Sequence, residues 1–346
     1  MARKTITCAF SPSRNHRHVM AETEAVLSYD GGDVKQWKRR LRNRLRTLLG
    51  TMPKERVPLN VRHLWRHDHP LGYIDKIVFT AESHCDVPAY VSIPGDRTPP
   101  FPFMICLQGH STGMHNSIAV QQDDETTPLK IEGDRDFAIQ CMRRGLAALC
   151  IEQRSLGERR EKKQSRVCPY NPCHDAFVQA LMMGRTLLGE RVYDVDRAID
   201  YLATRDDVDM HRIGIMGHSG GGTTGIYAAA VLPRLSFAMP SCSFCTFRDA
   251  KMAVYHCSCG YLPGILKYAE MADVLGLFAP HPIVIVTGRD DDIIPLVGVR
   301  KAFRRLKNIY RAAGADHHCH LVIGKEGHRF YAEAAWPIMM REIEML

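Results

Sequence analysis

From Phe103 to the C-terminus the chain switches repeatedly between two hydrophobic periods, and this restricts the fold more than any other feature. Short apolar runs recur at FMICLQ (103–108), LAALCIEQ (146–153), RIGIMGH (212–218), FAMPSC (237–242), PIVIVTG (282–288) and HLVIG (320–324). Each has the length and composition of a strand buried on both faces. Between them lie patterns at helical spacing: RDFAIQCMRRG, a long one from about Asp175 to Thr204, GGTTGIYAAAVL, VGVRKAFRRLKNIYRAAG and FYAEAAWPIMMREIEML. Strands alternating with helices predict a mostly parallel sheet covered by helices on both faces. Two earlier runs, IDKIVFT (74–80) and VPAYVSIP (87–94), precede any crossover helix and suit an antiparallel hairpin at one sheet edge.

At 346 residues the chain has room for a large core. No internal repeat or low-complexity linker divides it, so the division expected is an N-terminal extension over 1–70 packed on a main domain over 71–346. The formal charge of +8 invites a nucleic-acid reading, but much of the excess sits in one segment, DVKQWKRRLRNRLRTLLG. There Val34, Trp37, Leu41, Leu45, Leu48 and Leu49 fall on one helical face, with Asp33 as N-cap and Gly50 past the end. The segment reads as an amphipathic helix docked on the domain with its arginines in water. No aromatic-interleaved basic run accompanies it, so no nucleic-acid or membrane partner is expected.

The N-terminus, MARKTITCAFSPSRNHRHVM, lacks the apolar run of a secretory signal, and no stretch reaches the length of a membrane-spanning helix. A cytoplasmic protein is expected. Twelve cysteines are too few for a disulfide scaffold at this length, and several, such as Cys106 and Cys150, lie inside apolar runs as buried thiols do.

Chemistry is suggested where a strand ends in a glycine-dense turn. Gly217-His218-Ser219-Gly220-Gly221 follows RIGIMGH and opens the helix GGTTGIYAAAVL. A sharp strand-to-helix turn would lift the Ser219 hydroxyl above the sheet, and small neighbours allow the close backbone approach. A serine hydroxyl needs a base to take its proton and an acid to orient that base. Downstream, GRDDDIIP after one strand offers Asp290, Asp291 and Asp292, and GKEGHRFY after the next offers His328. His218, beside the nucleophile, reads as a packed neighbour.

These three motifs, in this order, resemble those of α/β-hydrolases of the acetyl xylan esterase and dienelactone hydrolase-like branch, over roughly Trp37 to the C-terminus. The resemblance implies an acid loop G-x-x-D-x-x-x-P, which Gly288, Asp291 and Pro295 match in register, and a histidine loop matched by Gly327 through Tyr331. It thus implies Ser219, Asp291 and His328 as a triad, with an oxyanion hole of the Gly220 amide and a second amide from FMICLQGHSTG. Relatives often carry His-Gly at that turn. Here Gln108-Gly109 stands in its place, and the His110 backbone N–H is the expected donor.

The activity implied is serine carboxylic ester hydrolysis, on acetyl or other short acyl groups, carbohydrate esters among them, with no cofactor and no metal. A prolyl oligopeptidase-like peptidase uses the same triad order, and a non-catalytic basic binding protein on the same scaffold is the alternative from another class.

Two metal-like groupings remain. Cys242-x-x-Cys245 with His256-Cys257-x-Cys259 has zinc-binding residue types but not a usual finger spacing, and is expected to be thiols. Asp316-His317-His318-x-His320 is expected at the surface, with His318 and His320 together and His317 opposite. Arg154, Glu158 and Arg159 lie near the expected site, to contact substrate or to pair with one another. SLGERREKKQSRVCPYNPC (155–173) and about 243–264 are excursions off the sheet, and Trp336 and Tyr331 read as core.

Overall fold

The apolar runs become strands of one sheet, each expected strand lying within a few residues of its sequence span. A computed structural model describes residues 10–110, 112–161 and 173–346. Its strands are β1 (Arg62–His69), β2 (Gly72–Glu82), β3 (Cys85–Pro94), β4 (Phe101–Leu107), β5 (Ala147–Ile151), β6 (Val208–His218), β7 (Phe237–Ser241), β8 (Ile283–Gly288) and β9 (Cys319–Gly324). They pair in the order β1-β2-β3-β5-β4-β6-β7-β8-β9. From β5 through β9 the neighbours are parallel, while β1, β2 and β3 form an antiparallel edge.

Strand β1, RHLWRHDH, was not anticipated, and the sheet therefore begins inside the stretch assigned to the extension. Its residues are largely polar because it is an outer strand, where water rather than a core meets most side chains. Arg66 holds it to β2 by a two-pronged contact with Asp75, at 2.7 and 2.8 Å.

The period-two alternation sorts each central strand between two cores. Ile105, Leu107, Leu149, Ile215 and Ile285 face one, against α2 (Val34–Leu49), α5 (Leu187–Leu202), α6 (Gly220–Val231), α7 (Met271–Gly276) and α8 (Leu296–Ala312). Met104, Cys106, Cys150, Met216 and Val286 face the other, against α3 (Phe137–Met142) and α9 (Ala332–Glu344). Trp336 of α9 is fully buried, its indole N–H donating to Gln140 Oε1 at 2.7 Å.

Helix α2 starts where its cap predicts, with Asp33 Oδ1 accepting from the amides of Lys35 and Gln36. Trp37, Leu41, Leu45 and Leu49 are buried, and such side chains contribute roughly 1.5–3 kcal/mol each. The expectation that its basic residues lie in water holds for Lys35, Arg39, Arg40 and Arg44, which are exposed, but not for three others, which bond to backbone carbonyls. Arg42 donates to the carbonyls of Ala230 (3.0 Å) and Leu277 (2.8 Å), Arg46 to Val231 (3.0 Å), and Lys38 to Ala279. The carbonyls of Ala230, Val231 and Leu277 end α6 and α7, where the last turn leaves acceptors unpaired and the helix dipole favours cations, and Ala279 lies just beyond α7. Lys38, Arg42 and Arg46 are therefore structural.

The long helix expected over 175–204 is two helices, α4 (His174–Met182) and α5. Gly184 takes a left-handed φ of +70°. Thr186 then caps α5 by accepting from the Gly189 amide, and its hydroxyl donates to Leu49 O at 2.7 Å, tying this break to the end of α2. A short helix, α1 (Pro12–Glu22), precedes α2. Most of the 155–173 excursion, Cys168 included, lies outside the described residues. Among those described, no helix is long and apolar enough to cross a membrane.

Candidate active site

Because β4 through β9 run parallel, their C-terminal ends deliver loops to one edge of the sheet, where open α/β sheets bind ligands. Ser219 sits at the junction of β6 and α6 with φ +55° and ψ −117°, a conformation rare for a residue with a side chain. Its neighbours must be glycine. A Cβ at Gly217 would lie 2.5 Å from the Gly221 backbone, and one at Gly221 would lie 2.2 Å from Leu107 O. The Ser219 amide donates to Ser241 O at 2.8 Å, fixing the turn to β7.

Asp291 follows β8. Its Oδ1 accepts from the amides of Ile293 and Ile294, both at 3.0 Å, and its Oδ2 accepts from His328 Nδ1 at 2.8 Å. Burial alone would raise its pKa. The hydrogen bond and charge of His328, with the Ile294 amide, outweigh burial and hold the carboxyl below the usual carboxylate range. Asp290, by contrast, is exposed and pairs with its neighbour Arg289. His328 lies in the loop between β9 and α9 and shares the lining of one cavity with Ser219.

His218 is buried under this pair. Its ring centroid is 4.8 Å from that of His328, and its Nδ1 is hydrogen-bonded with Ser241 Oγ at 3.1 Å. Burial, followed by the charges of His328 and Arg135, lowers its pKa to about 3, so it stays neutral at ordinary pH.

The loop after β4 packs on the serine turn. A Cβ at Gly109 would sit 3.1 Å from Ser219 Cβ, and one at Gly220 would meet the His110 ring at 2.7 Å. The His110 ring thus lies against Gly220, and the loop after β4 borders Ser219. Two cavities meet there. One of about 300 Å³ includes Thr223, Lys251, His256 and Ile293 in its wall. The other, of about 600 Å³, includes Lys130, Glu132, Arg135 and Arg329. Lys251 had no sequence signal, since it lies within the long excursion after β7, and His256 drew notice only as a member of a metal-like grouping, not as a wall of this cavity.

Arg154, Glu158 and Arg159 pair with residues of β2 and α5 rather than with one another. Arg154 bonds to Asp194, Glu82 and Glu190, Arg159 to Asp194, and Glu158 to Lys76. His318 and His320 lie together, both clasping the buried Glu342 of α9, but His317 is not opposite them: Asp316–His318 is a turn of 3-10 helix rather than extended strand, and the His317 ring lies 4.0 Å from that of His318.

The cysteines that spacing grouped together are split. Cys242 takes φ +46° and lies beside Asp291 and His328, its thiol donating to Arg329 O at 3.2 Å. Cys245 turns toward Pro295 O at the start of α8. Cys257 and Cys259 instead join His110 and Cys173. The described cysteines carry no disulfide.

The Abhydrolase family model matches residues 17–321. The chain is 26% identical over 294 residues to the "Putative hydrolase YtaP" of Bacillus subtilis (strain 168), covering 83% of this chain and 92% of that one. It also resembles the solved "putative acetyl xylan esterase" of Bacteroides fragilis NCTC 9343, with TM-score 0.74 at 14% identity, over 94% of this chain and 84% of that one. A glucuronoyl esterase from Solibacter usitatus matches with TM-score 0.67 at 16% identity, over 94% and 98% of the two chains. At these identities the solved structures speak to the fold, which is that of an α/β-hydrolase.

Proposed function

This chain belongs to the Abhydrolase family, and from that premise we propose that it hydrolyses carboxylic esters through a serine acyl-enzyme, with short acyl groups carried on polar, carbohydrate-like alcohols as substrates. The observation that carries this reading is the Ser219 turn, strained to φ +55° and sharing a cavity with a histidine whose Nδ1 is 2.8 Å from a buried carboxylate.

Ser219 Oγ attacks the ester carbonyl while His328 Nε2 takes its proton. Asp291 accepts from Nδ1, which fixes the tautomer and stabilises the imidazolium as it forms. The amides of Gly220 and His110, with the N-terminus of α6, stabilise the oxyanion. His328 then protonates the departing alcohol, and a water activated by the same nitrogen releases the acid. His218, being neutral, adds no positive charge against the developing imidazolium. The larger cavity, with charged groups on its wall, suits a hydroxyl-rich alcohol, and the acetyl xylan esterase among the structural neighbours is named for the same substrate class.

The test is labelling by a fluorophosphonate probe, with acetylated sugars, aryl acetates and aminoacyl arylamides assayed on wild type and Ser219→Ala. Labelling and acetyl ester hydrolysis, both lost in the variant, are expected. Preference for arylamides would make the protein a peptidase, and absence of both labelling and hydrolysis in the wild type would overturn the reading.

A further inference from the structure

The proposed reaction leaves one cluster beside it without a use. His110 and the sulfurs of Cys173, Cys257 and Cys259 offer one ligand atom each, all within 4.8 Å of one another, and His110 Nε2 is 3.1 Å from Cys259 Sγ. The four residues come from three separate segments: the loop after β4, the turn into α4, and the excursion after β7. Their meeting is a product of the tertiary fold. Cys173 and Cys259 are buried, and His110 and Cys257 are half-buried.

Three thiols and one imidazole are the donor set of a closed tetrahedral zinc site, with Zn–S of about 2.3 Å and Zn–N of about 2.0–2.1 Å. Sulfurs around such an ion stand about 3.8 Å apart, so closing the site requires shifts of about 1 Å. Soft sulfur donors select zinc over the hard cations magnesium and calcium.

The charges agree. Arg191 is buried, and it donates from Nη1 to Cys259 Sγ at 3.2 Å and from Nη2 to Cys173 Sγ at 3.3 Å. Its remaining hydrogen bonds go to the carbonyl of Arg154, and among the described residues no carboxylate forms an ion pair with it. A buried cation without a countercharge is costly. Three thiolates around a divalent ion carry a net charge of −1, which balances the guanidinium.

We propose that His110, Cys173, Cys257 and Cys259 bind one zinc ion in a closed structural site that ties together the loops around Ser219. Binding displaces the thiol protons to solvent and leaves no position for water or substrate, so the ion takes no part in bond making. It holds the His110 ring, which lies against Gly220, and so sets the residue whose amide the oxyanion assignment uses. That last consequence rests on the esterase reading, whereas the metal binding does not.

The test begins with elemental analysis of full-length protein purified under reducing conditions from zinc-supplemented cells. About one zinc per chain is expected. It should be retained in Ser219→Ala and Cys242→Ser and lost in the double variant Cys257→Ser/Cys259→Ser. Because that double variant could misfold, cobalt(II) is also exchanged into wild-type protein, where thiolate-to-cobalt charge-transfer and intense tetrahedral d–d bands are expected. Substoichiometric zinc with no such bands overturns the site, as does a disulfide among the three cysteines found by alkylation and mass spectrometry. Chelation should slow acetyl ester hydrolysis about 10²-fold, as misplacement of a positioning group does. An unchanged rate after zinc loss would refute the positioning of His110 and leave the site standing. Bound zinc in a protein that cleaves no ester would instead refute the esterase reading alone.

Discussion

Replacing Asp291 with Asn tests the proposed triad at a single atom. In the native turn Oδ1 accepts two amides, from Ile293 and Ile294, at 3.0 Å each. An asparagine must keep its oxygen there, because an NH2 group would face two donors. Its Nδ2 then occupies the place of Oδ2, 2.8 Å from His328 Nδ1, and donates to it. His328 is driven into the tautomer protonated on Nε2, which cannot accept the proton of Ser219. The expected loss is about 10³- to 10⁴-fold in kcat, or about 4–5.5 kcal/mol at 1.36 kcal/mol per decade, with KM nearly unchanged. Steady-state hydrolysis of 4-nitrophenyl acetate measures it, with Asp290→Asn and Asp292→Asn as exposed controls. A loss below about tenfold, or an equal loss in Asp290→Asn, would refute the assignment. Stability supplies an independent readout. The folded carboxyl lies below its unfolded value of about 3.9. Its contribution is therefore complete above that value and disappears as pH falls through the folded pKa. Urea unfolding should show the gap between wild type and variant closing in acid.

Three further changes probe the frame. Burial pushes the Glu152 carboxyl up to about 7, against the amides of Met114 and Glu158 that bond to it. The native state thus keeps a proton that the unfolded chain releases, and stability should fall as pH rises from about 4.5 to 7; Glu152→Gln should flatten that slope in urea melts taken across the range. Gly221→Ala places a Cβ 2.2 Å from Leu107 O, a backbone atom that cannot swing away, and should cost about 3 kcal/mol in chemical denaturation or prevent folding. Arg42→Ala should cost about 1–3 kcal/mol by stranding the carbonyls of Ala230 and Leu277, while Arg40→Ala, on the exposed face of the same helix, should lie within about 0.5 kcal/mol of wild type.

The central sheet was legible because its strands are buried on both faces. FMICL, AALCI and IVIVTG admit little but apolar residues, and their spacing by helices leaves few topologies. The same reasoning explains what escaped. Strand β1 is held by backbone pairing and by Arg66 with Asp75, so its side chains carry no period. The break between α4 and α5 was hidden because Leu181, Leu187 and Leu188 continue an acceptable helical pattern. It is set by Thr186, whose partners include Leu49 of a distant helix. The destination of Arg42 and Arg46 depended likewise on where the ends of α6 and α7 fall.

Within the site, the legible residues are those that follow a parallel strand directly. Ser219 directly follows β6, Asp291 lies three residues past β8, and His328 lies four past β9. Parallel strands of one sheet carry such residues to one edge whatever the loops between them do. Spacing along the chain is a poor guide once the backbone turns. Cys242 and Cys245 are three residues apart, yet one faces Asp291 and the other α8. His110 and Cys259, separated by 149 positions, are in contact. A cysteine after a strand end is therefore better assigned by that strand's place in the sheet than by its distance to the next cysteine. By that rule Cys242, which directly follows β7 between the strands that deliver Ser219 and Asp291, lies beside Asp291 and His328. Cys257 and Cys259, deep in the excursion, are released to meet the loop after β4.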